Sequence, residues 1–330
     1  MKDKILTELK NSGGEFVSGE VLSIALGVTR TAVWKYIREL KKEGYDIESS
    51  SKKGYRLLHT PDAVNSSEIG HGLDTRVLGR EIHCFKVIDS TNNYAKKAAA
   101  EGCSDGTLVV AEYQTAGRGR LGRPWESADK KGIWMSVVLK PRVSPEEVQV
   151  ITIAASVAVV NGIYEATGME AGIKWPNDIL LEGKKVCGIL TEMSCEMERV
   201  NFLVIGMGIN VNQDREDFPE ELRNTAISLK MHGGVEGILR RSEIIKQILY
   251  EMEKQYDKIK MGKTDEIIEE WKKKSVTLGK SVRANIRNTE ITGTAVDITE
   301  DGKLVVKSAD GEEVEVLSGE VSVRGLLGYV

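Results

Sequence analysis

The hydrophobic positions change period several times along the chain. Ile5, Leu6 and Leu9 mark one helical face, and Val33, Ile37 and Leu40 mark another on a helix expected from Thr29 to Glu43. Ser18 is placed to cap a short helix between them that ends at Leu26. Gly27 then stands where a helix terminus needs a left-handed residue. Helix, Gly-containing turn, helix is the helix-turn-helix pattern. Tyr45 to Glu48 and Tyr55 to Leu57 alternate as two strands around a polar, basic loop at 49–54. His59-Thr60-Pro61-Asp62 reads as a linker.

Strand and helix patterns interleave beyond it. Strands are expected over 80–87, 108–113, 133–139, 185–193 and 200–205, with an alanine-rich helix over 94–100. Ser144-Pro145-Glu146-Glu147 combines a cap, an N1 proline and a capping-box glutamate, and opens a long helix to about Ala166. Residues 212–224 are polar and acidic, and helical periodicity returns over 242–274. The remaining stretch holds short β runs divided by Asp301-Gly302 and Asp310-Gly311, both good hairpin turns. The pattern predicts an α+β, multidomain chain, with boundaries at 1–60, 61–275 and 276–330.

Charge sharpens that division. The net charge of −4 conceals a basic first segment, in which residues 1–60 hold 11 Lys+Arg against 8 Asp+Glu; the rest of the chain is acidic. The whole is not a polycation, and its 41% hydrophobic content excludes collagen-like and disordered classes. Cys84, Cys103, Cys187 and Cys195 form no CxxC and have no spaced His pair beside them, so neither a metal site nor a disulfide framework is expected. The N-terminus lacks an apolar signal core, and the longest apolar run, near 151–160, falls short of the ~20 residues a membrane span needs. A cytoplasmic protein with reduced cysteines is expected.

Gly117-Arg118-Gly119-Arg120-Leu121-Gly122 is formally GxGxxG after a strand. Arg123-Pro124-Trp125 and another strand follow it, so the helix that a dinucleotide site requires does not begin there. What remains is an anion-binding pattern, with glycines that admit close backbone approach and Arg118, Arg120 and Arg123 to fork onto phosphate or carboxylate. Lys174-Trp175-Pro176-Asn177-Asp178 is a second dense cluster, readable also as a plain turn. Lys184-Lys185 precedes an apolar strand, and Gly206-Met207-Gly208-Ile209-Asn210 stands at a strand end where a flat ligand or another backbone could approach. No Ser/His/Asp or Cys/His arrangement is visible.

These clusters, in this order, resemble the family of bifunctional biotin–protein ligases and biotin-operon repressors. The matching stretches are Asp89-Ser90-Thr91-Asn92, Gln114 with the 117–125 loop, 174–178, 185–190 and 206–210. The resemblance implies a winged helix-turn-helix, a central mixed α/β catalytic domain of the biotin/lipoate ligase type and a C-terminal SH3-like small β-barrel. It implies biotin and ATP as substrates, Mg²⁺ with the ATP, and biotinyl-5′-AMP as both intermediate and corepressor. It casts Lys185, Arg120 and Asp178 as catalytic. Ser90, Thr91, Asn92, Gln114, Gly117, Arg118 and Gly119 would join Arg120 and Lys185 around biotin. Arg118, Arg120, Arg123, Trp125, Lys174, Asn177, Lys185, Gly208 and Asn210 would hold the nucleotide. Leu121 departs from the arginine run of some members, and Ala226 stands where some place a tryptophan over adenine. Thr29, Arg30, Thr31 and Lys35 on the recognition helix, with Lys52 and Lys53 on the wing, would meet operator DNA. The implied partners are palindromic operator DNA bound as a homodimer, and a biotin carboxyl carrier protein as acceptor, with no membrane. Another acyl-adenylating ligase of the same fold, such as a lipoate ligase, and a ligand-sensing regulator without ligase activity are the alternatives.

Overall fold

Capping chemistry sets the N-terminal helices. In the computed structural model, which describes all residues except 197–198, 235, 287–288, 318–323 and 326–330, Ser18 accepts a hydrogen bond from the Val21 N–H (3.1 Å) at the start of α2 (Gly19–Leu26). Thr29 accepts one from Ala32 (3.2 Å) at the start of α3 (Arg30–Lys42). Gly27 between them is left-handed, at φ 63°. The apolar faces of α1 (Lys2–Asn11), α2 and α3 close a core of Ile5, Leu6, Leu9, Leu22, Val33, Ile37 and Leu40, joined by Tyr45 and Ile47. Strands β1 (Asp46–Ser50) and β2 (Gly54–His59) pair antiparallel to form the wing.

The chain divides into two compact units, Met1–Gly72 and Leu73–Val330. The first therefore runs past residue 60, and a buried polar cluster gives the reason. Helix α4 (Ser66–Gly70) carries Glu68, which pairs with Lys10 at 2.8 Å and accepts a hydrogen bond from the Tyr45 hydroxyl at 2.9 Å. Asn65 donates to the same hydroxyl oxygen at 3.0 Å. Burial, with Glu68 adding to it, pushes the Tyr45 phenol well above its ordinary range. Breaking such a cluster would leave a charge buried without a partner, so 61–72 is held to the helix-turn-helix.

The second unit is built on a seven-stranded sheet in the order β3-β4-β5-β9-β8-β7-β6. Its strands are β3 (Ile82–Ile88), β4 (Leu108–Gln114), β5 (Gly132–Leu139), β6 (Gly172–Lys174), β7 (Asp178–Leu181), β8 (Lys184–Glu196) and β9 (Arg199–Asn210). Only β3–β4 is parallel, and a parallel pair needs a crossover. That crossover is α5 (Thr91–Ala100), whose Ala95 and Ala99 pack onto Val109, Val138 and Val204. Strand β9 does not end at Ile205 as expected. It continues through Gly206-Met207-Gly208, pairing with β5 on one side and β8 on the other.

Helix α6 (Val148–Thr167) packs against α8 (Arg241–Lys260), α9 (Thr264–Lys274) and β8. The capping box expected before it forms, with Glu147 accepting from the Ser144 N–H at 2.8 Å. The helix with its opening turn, Pro145–Thr167, is long and apolar enough to cross a membrane, but 72% of its apolar window is buried in the protein. A core helix must be apolar on every face, which accounts for its composition.

A short helix, α7 (Leu229–Gly233), lies between β9 and α8. The C-terminal stretch forms an antiparallel sheet in the order β13-β12-β11-β10-β14, from β10 (Ser281–Ile286), β11 (Thr289–Ile298), β12 (Leu304–Lys307), β13 (Glu313–Val316) and β14 (Arg324–Gly325). The two Asp-Gly turns connect β11 to β12 and β12 to β13, as expected. The closing stretch of the expected barrel, 318–323 and 326–330, lies outside the described residues.

Candidate active site

The sequence clusters converge on a cavity of about 300 Å³ in the second unit. Its floor is the N-terminus of α5. Ser90 is the N-cap. The Thr91 backbone N–H and hydroxyl both donate to Gln114 Oε1, at 2.8 and 3.1 Å. Ser136 on β5 donates to Thr91 Oγ1 (2.7 Å) and is also within hydrogen-bond distance of Asn92 Oδ1 (2.6 Å), and Asn92 Nδ2 donates to Glu192 on β8 (2.8 Å). Gly206 completes the floor from β9, because a Cβ there would lie 2.1 Å from Asn92 Oδ1. Four separate elements thus hold one line of polar side chains under the cavity.

The arginine loop is a tight hairpin that holds a single 3₁₀ turn at Arg120–Gly122 and starts no α-helix. Trp125 N–H donates to Gly117 O (2.9 Å), and Gly119 N–H to Arg123 O (2.8 Å). Leu121 at its tip is left-handed (φ 56°), an uncommon conformation for a side chain of that kind. Arg118 leans outward to Asn93 (2.6 Å) and Glu192 (3.5 Å). Glu192 also takes Lys96 at 2.9 Å. Burial opposes its ionisation, but Lys96 and Asn92 outweigh that and hold its carboxyl below the ordinary range. Arg123 is exposed at the rim.

Arg120 turns inward and donates to Asn177 Oδ1 at 3.1 Å. Burial lowers its pKa, with Asp178 opposing. Lys185 on β8 forms an ion pair with Asp178 on β7, and its Nζ lies 5.3 Å from the Trp125 ring centroid. Trp125 lies against Gly188 and Gly208, where a Cβ would be 2.8 and 2.5 Å from the indole. The flat group that the glycine run admits is therefore a protein side chain. The indole Nε1 is buried without a hydrogen-bond partner among the described residues. Five cationic side chains line the cavity, Arg118, Arg120, Arg123, Lys174 and Lys185, against the carboxylates Glu126 and Asp178. The excess charge in a partly dry pocket favours anionic ligands.

Residues 84–210 match the biotin/lipoate A/B protein ligase family, 2–56 match an HTH domain, and 277–324 match the biotin protein ligase C terminal domain. The bifunctional ligase/repressor BirA of Bacillus subtilis (strain 168) is 44% identical over 310 residues, covering 93% of this chain and 94% of the relative. The chain belongs to the family of bifunctional ligase/repressors. Its counterpart in Escherichia coli (strain K12) is 29% identical over 97% of this chain and 96% of its own length. Among solved structures, the biotin protein ligase from Aquifex aeolicus in complex with biotin and ATP superposes with a TM-score of 0.64 at 31% identity, over 74% of this chain and 99% of that one.

Most of the residues to which the resemblance gives a role line the cavity. Asn177 and Asn210 are among the residues expected to hold the nucleotide. Asn177 Nδ2 donates to the Ile189 carbonyl (2.7 Å) while its oxygen takes Arg120. Asn210 Nδ2 donates to the Ile227 carbonyl (3.3 Å) and its oxygen accepts from Gln213 (3.1 Å). Both amides brace the wall. Ala226 sits with Phe218 and Leu222 in the apolar part of that wall, on a segment tied to β8 by Lys185 N–H to Thr225 O (2.8 Å) and Ile227 N–H to Lys185 O (3.0 Å). Lys174 is buried in the lining.

Ser136 and Glu192 were missed by sequence reading. Each is a polar residue inside an apolar strand, and that interruption was the available signal. In the first unit, Thr31, Lys35, Lys52 and Lys53 are exposed as a DNA-facing role requires. Thr29 is engaged as the α3 cap, and Arg30 pairs with Glu20.

Proposed function

We propose that the chain joins biotin to a lysine of a biotin carboxyl carrier protein in the cytoplasm, and represses biotin genes as a homodimer carrying biotinyl-5′-AMP. The observation that carries the first part is the convergence of Arg120, Lys185 and Asp178 on one cavity whose lining is net cationic.

A biotin carboxylate oxygen attacks the α-phosphorus of ATP. An O–P bond forms, the α–β phosphoanhydride bond breaks, and pyrophosphate leaves. Two anions must meet for this, and fixed cations in a low-dielectric site lower their repulsion most. Arg120, braced by Asn177, and Lys185, restrained by Asp178 and the Trp125 face, are oriented before substrates arrive. Ser90, Thr91, Asn92 and Gln114 meet the neutral, polar ring of biotin, where an unpaired group would cost about 1–3 kcal/mol. The acceptor amine then attacks the acyl carbon. The C–N bond forms, the C–O bond to AMP breaks, and Asp178 accepts the proton the amine loses. The two lining carboxylates do not form a metal cage, and Asp178 is already paired. Mg²⁺, which keeps several waters and binds through substrate phosphates, fits as a passenger on ATP and screens its charge.

For the second part, biotinyl-AMP would favour the dimer by its greater affinity for that state, and the helix-turn-helix with its wing would engage a palindrome. The deciding experiment incubates the full chain with Mg·ATP and either biotin or lipoate, and identifies the bound nucleotide by mass spectrometry. Biotinyl-AMP with biotin alone is expected. Lipoyl-AMP would overturn the substrate, and no adenylate from either would overturn the ligase reading.

A further inference from the structure

The outer face of α3 carries an aromatic residue that folding does not account for. Trp134, Trp175 and Trp271 are sealed at 0–1% exposure and Trp125 lines the cavity, whereas Trp34 is 50% exposed. At helical spacing, the face opposite Val33, Ile37 and Leu40 holds Thr31, Trp34, Lys35, Arg38 and Lys42, all exposed. The Arg38 guanidinium lies over the Trp34 ring, 4.7 Å from its centroid. No carboxylate pairs with Lys35, Arg38 or Lys42 among the described residues, whereas Arg30 beside them is paired. The stack restrains two long side chains before any ligand arrives, which reduces the ordering cost of binding.

We propose that Trp34 and Arg38 together read bases in the operator: the indole packs on a thymine C5-methyl in the major groove, and Arg38 donates two N–H groups to O6 and N7 of a nearby guanine. This inference rests on the DNA-binding reading above. Phosphate suffices as the partner of Lys35 and Lys42 but not of an indole, whose surface is apolar with a single donor. The thymine methyl is the apolar group that the major groove displays, and bidentate arginine to guanine is its commonest specific contact. The uncompensated cations around Trp34 favour a polyanion over a protein surface.

The test enriches a pool of randomised duplexes on the full chain supplied with biotin and Mg·ATP, then replaces each enriched thymine with uracil, which removes only the methyl. At least one replacement in each half-site weakens wild-type binding about threefold to fivefold, on the scale of one buried methyl group. Trp34→Ala binds more weakly and no longer senses that replacement. Arg38→Lys loses its preference at one guanine by about fivefold or more while keeping its charge. Unfolding midpoints of the variants match the wild type. If Trp34→Ala enriches the same consensus with the same affinity and the same response to uracil, the proposal is overturned. A Trp34→Ala change in sedimentation without a change in uracil response overturns it in favour of a protein interface. A wild-type chain that enriches nothing takes the DNA-binding reading down with it.

Discussion

The cavity and the outer face of α3 both present cations to an anionic ligand, in opposite ways. In the cavity, Arg120 is buried and hydrogen-bonded, and Lys185 is paired with Asp178 over an aromatic face. On α3, Lys35 and Lys42 stand in water without acidic partners among the described residues. A pair of unit charges 4 Å apart is worth about 1 kcal/mol in water and about 4 at an effective dielectric of 20. Chemistry on an α-phosphate therefore calls for cations held rigidly in an enclosed site, while a surface that grips DNA can leave lysines such as Lys35 and Lys42 mobile in water. The first arrangement is sensitive to geometry and the second to salt.

Lys185→Ala should break the cavity's side of this contrast most severely. Single-turnover formation of the adenylate, followed by rapid quench, is expected to fall about 100-fold or more, with biotin binding still measurable. An unchanged rate would remove Lys185 from the reaction. Gly206→Ala comes next. Its new Cβ meets Asn92 Oδ1 and would push that α5 side chain off Ser136 and Glu192, and biotin affinity by calorimetry should drop about tenfold or more. Gly70→Ala, with nothing within 4 Å in α4, should leave the unfolding free energy within about 1 kcal/mol of wild type.

Lys35→Ala tests the other side. The slope of log affinity against log salt for DNA should shrink by about one, and equal slopes would mean that Lys35 touches no phosphate. The smallest effect belongs to Glu192. Its folded pKa lies below the ordinary 4.5, so the unfolded chain takes up the proton first as pH falls. Its contribution is complete above the ordinary carboxylate range and is lost below it. Between about pH 6 and pH 3.5 the unfolding midpoint of Glu192→Gln should therefore fall less steeply than that of wild type. Parallel curves would deny the pair any role in stability.

Much of this was legible in one dimension because local chemistry wrote it there. Ser18, Gly27 and the Ser144–Glu147 box mark helix ends through contacts only a few residues apart. The arginine loop and 174–178 announced themselves by density. What escaped depends on sheet register. Ser136 reaches Thr91 only because β5 lies between β4 and β9, and Glu192 reaches Asn92 across a hundred residues of sequence. The same holds for the amides of Asn177 and Asn210, whose partners are backbone carbonyls at Ile189 and Ile227. Residue 60 looked like a boundary because Pro61 punctuates it. The Lys10–Glu68 pair, invisible as a pattern, carries the first unit on to Gly72.

Trp175 sits in the middle of the 174–178 turn, yet its backbone N–H donates to the Thr277 hydroxyl (2.9 Å) and its indole N–H to the Gly302 carbonyl (3.1 Å). The turn that carries Asn177 and Asp178 is thus anchored to the C-terminal sheet. Replacing this sheet with one that does not hold those two acceptors in register would strand a buried backbone N–H and a buried indole donor. A change at the rear of the chain that shifts either acceptor would therefore be felt in the turn that carries Asn177 and Asp178. Structurally the turn and the last strands behave as one part, even though a sequence pattern divides them in two.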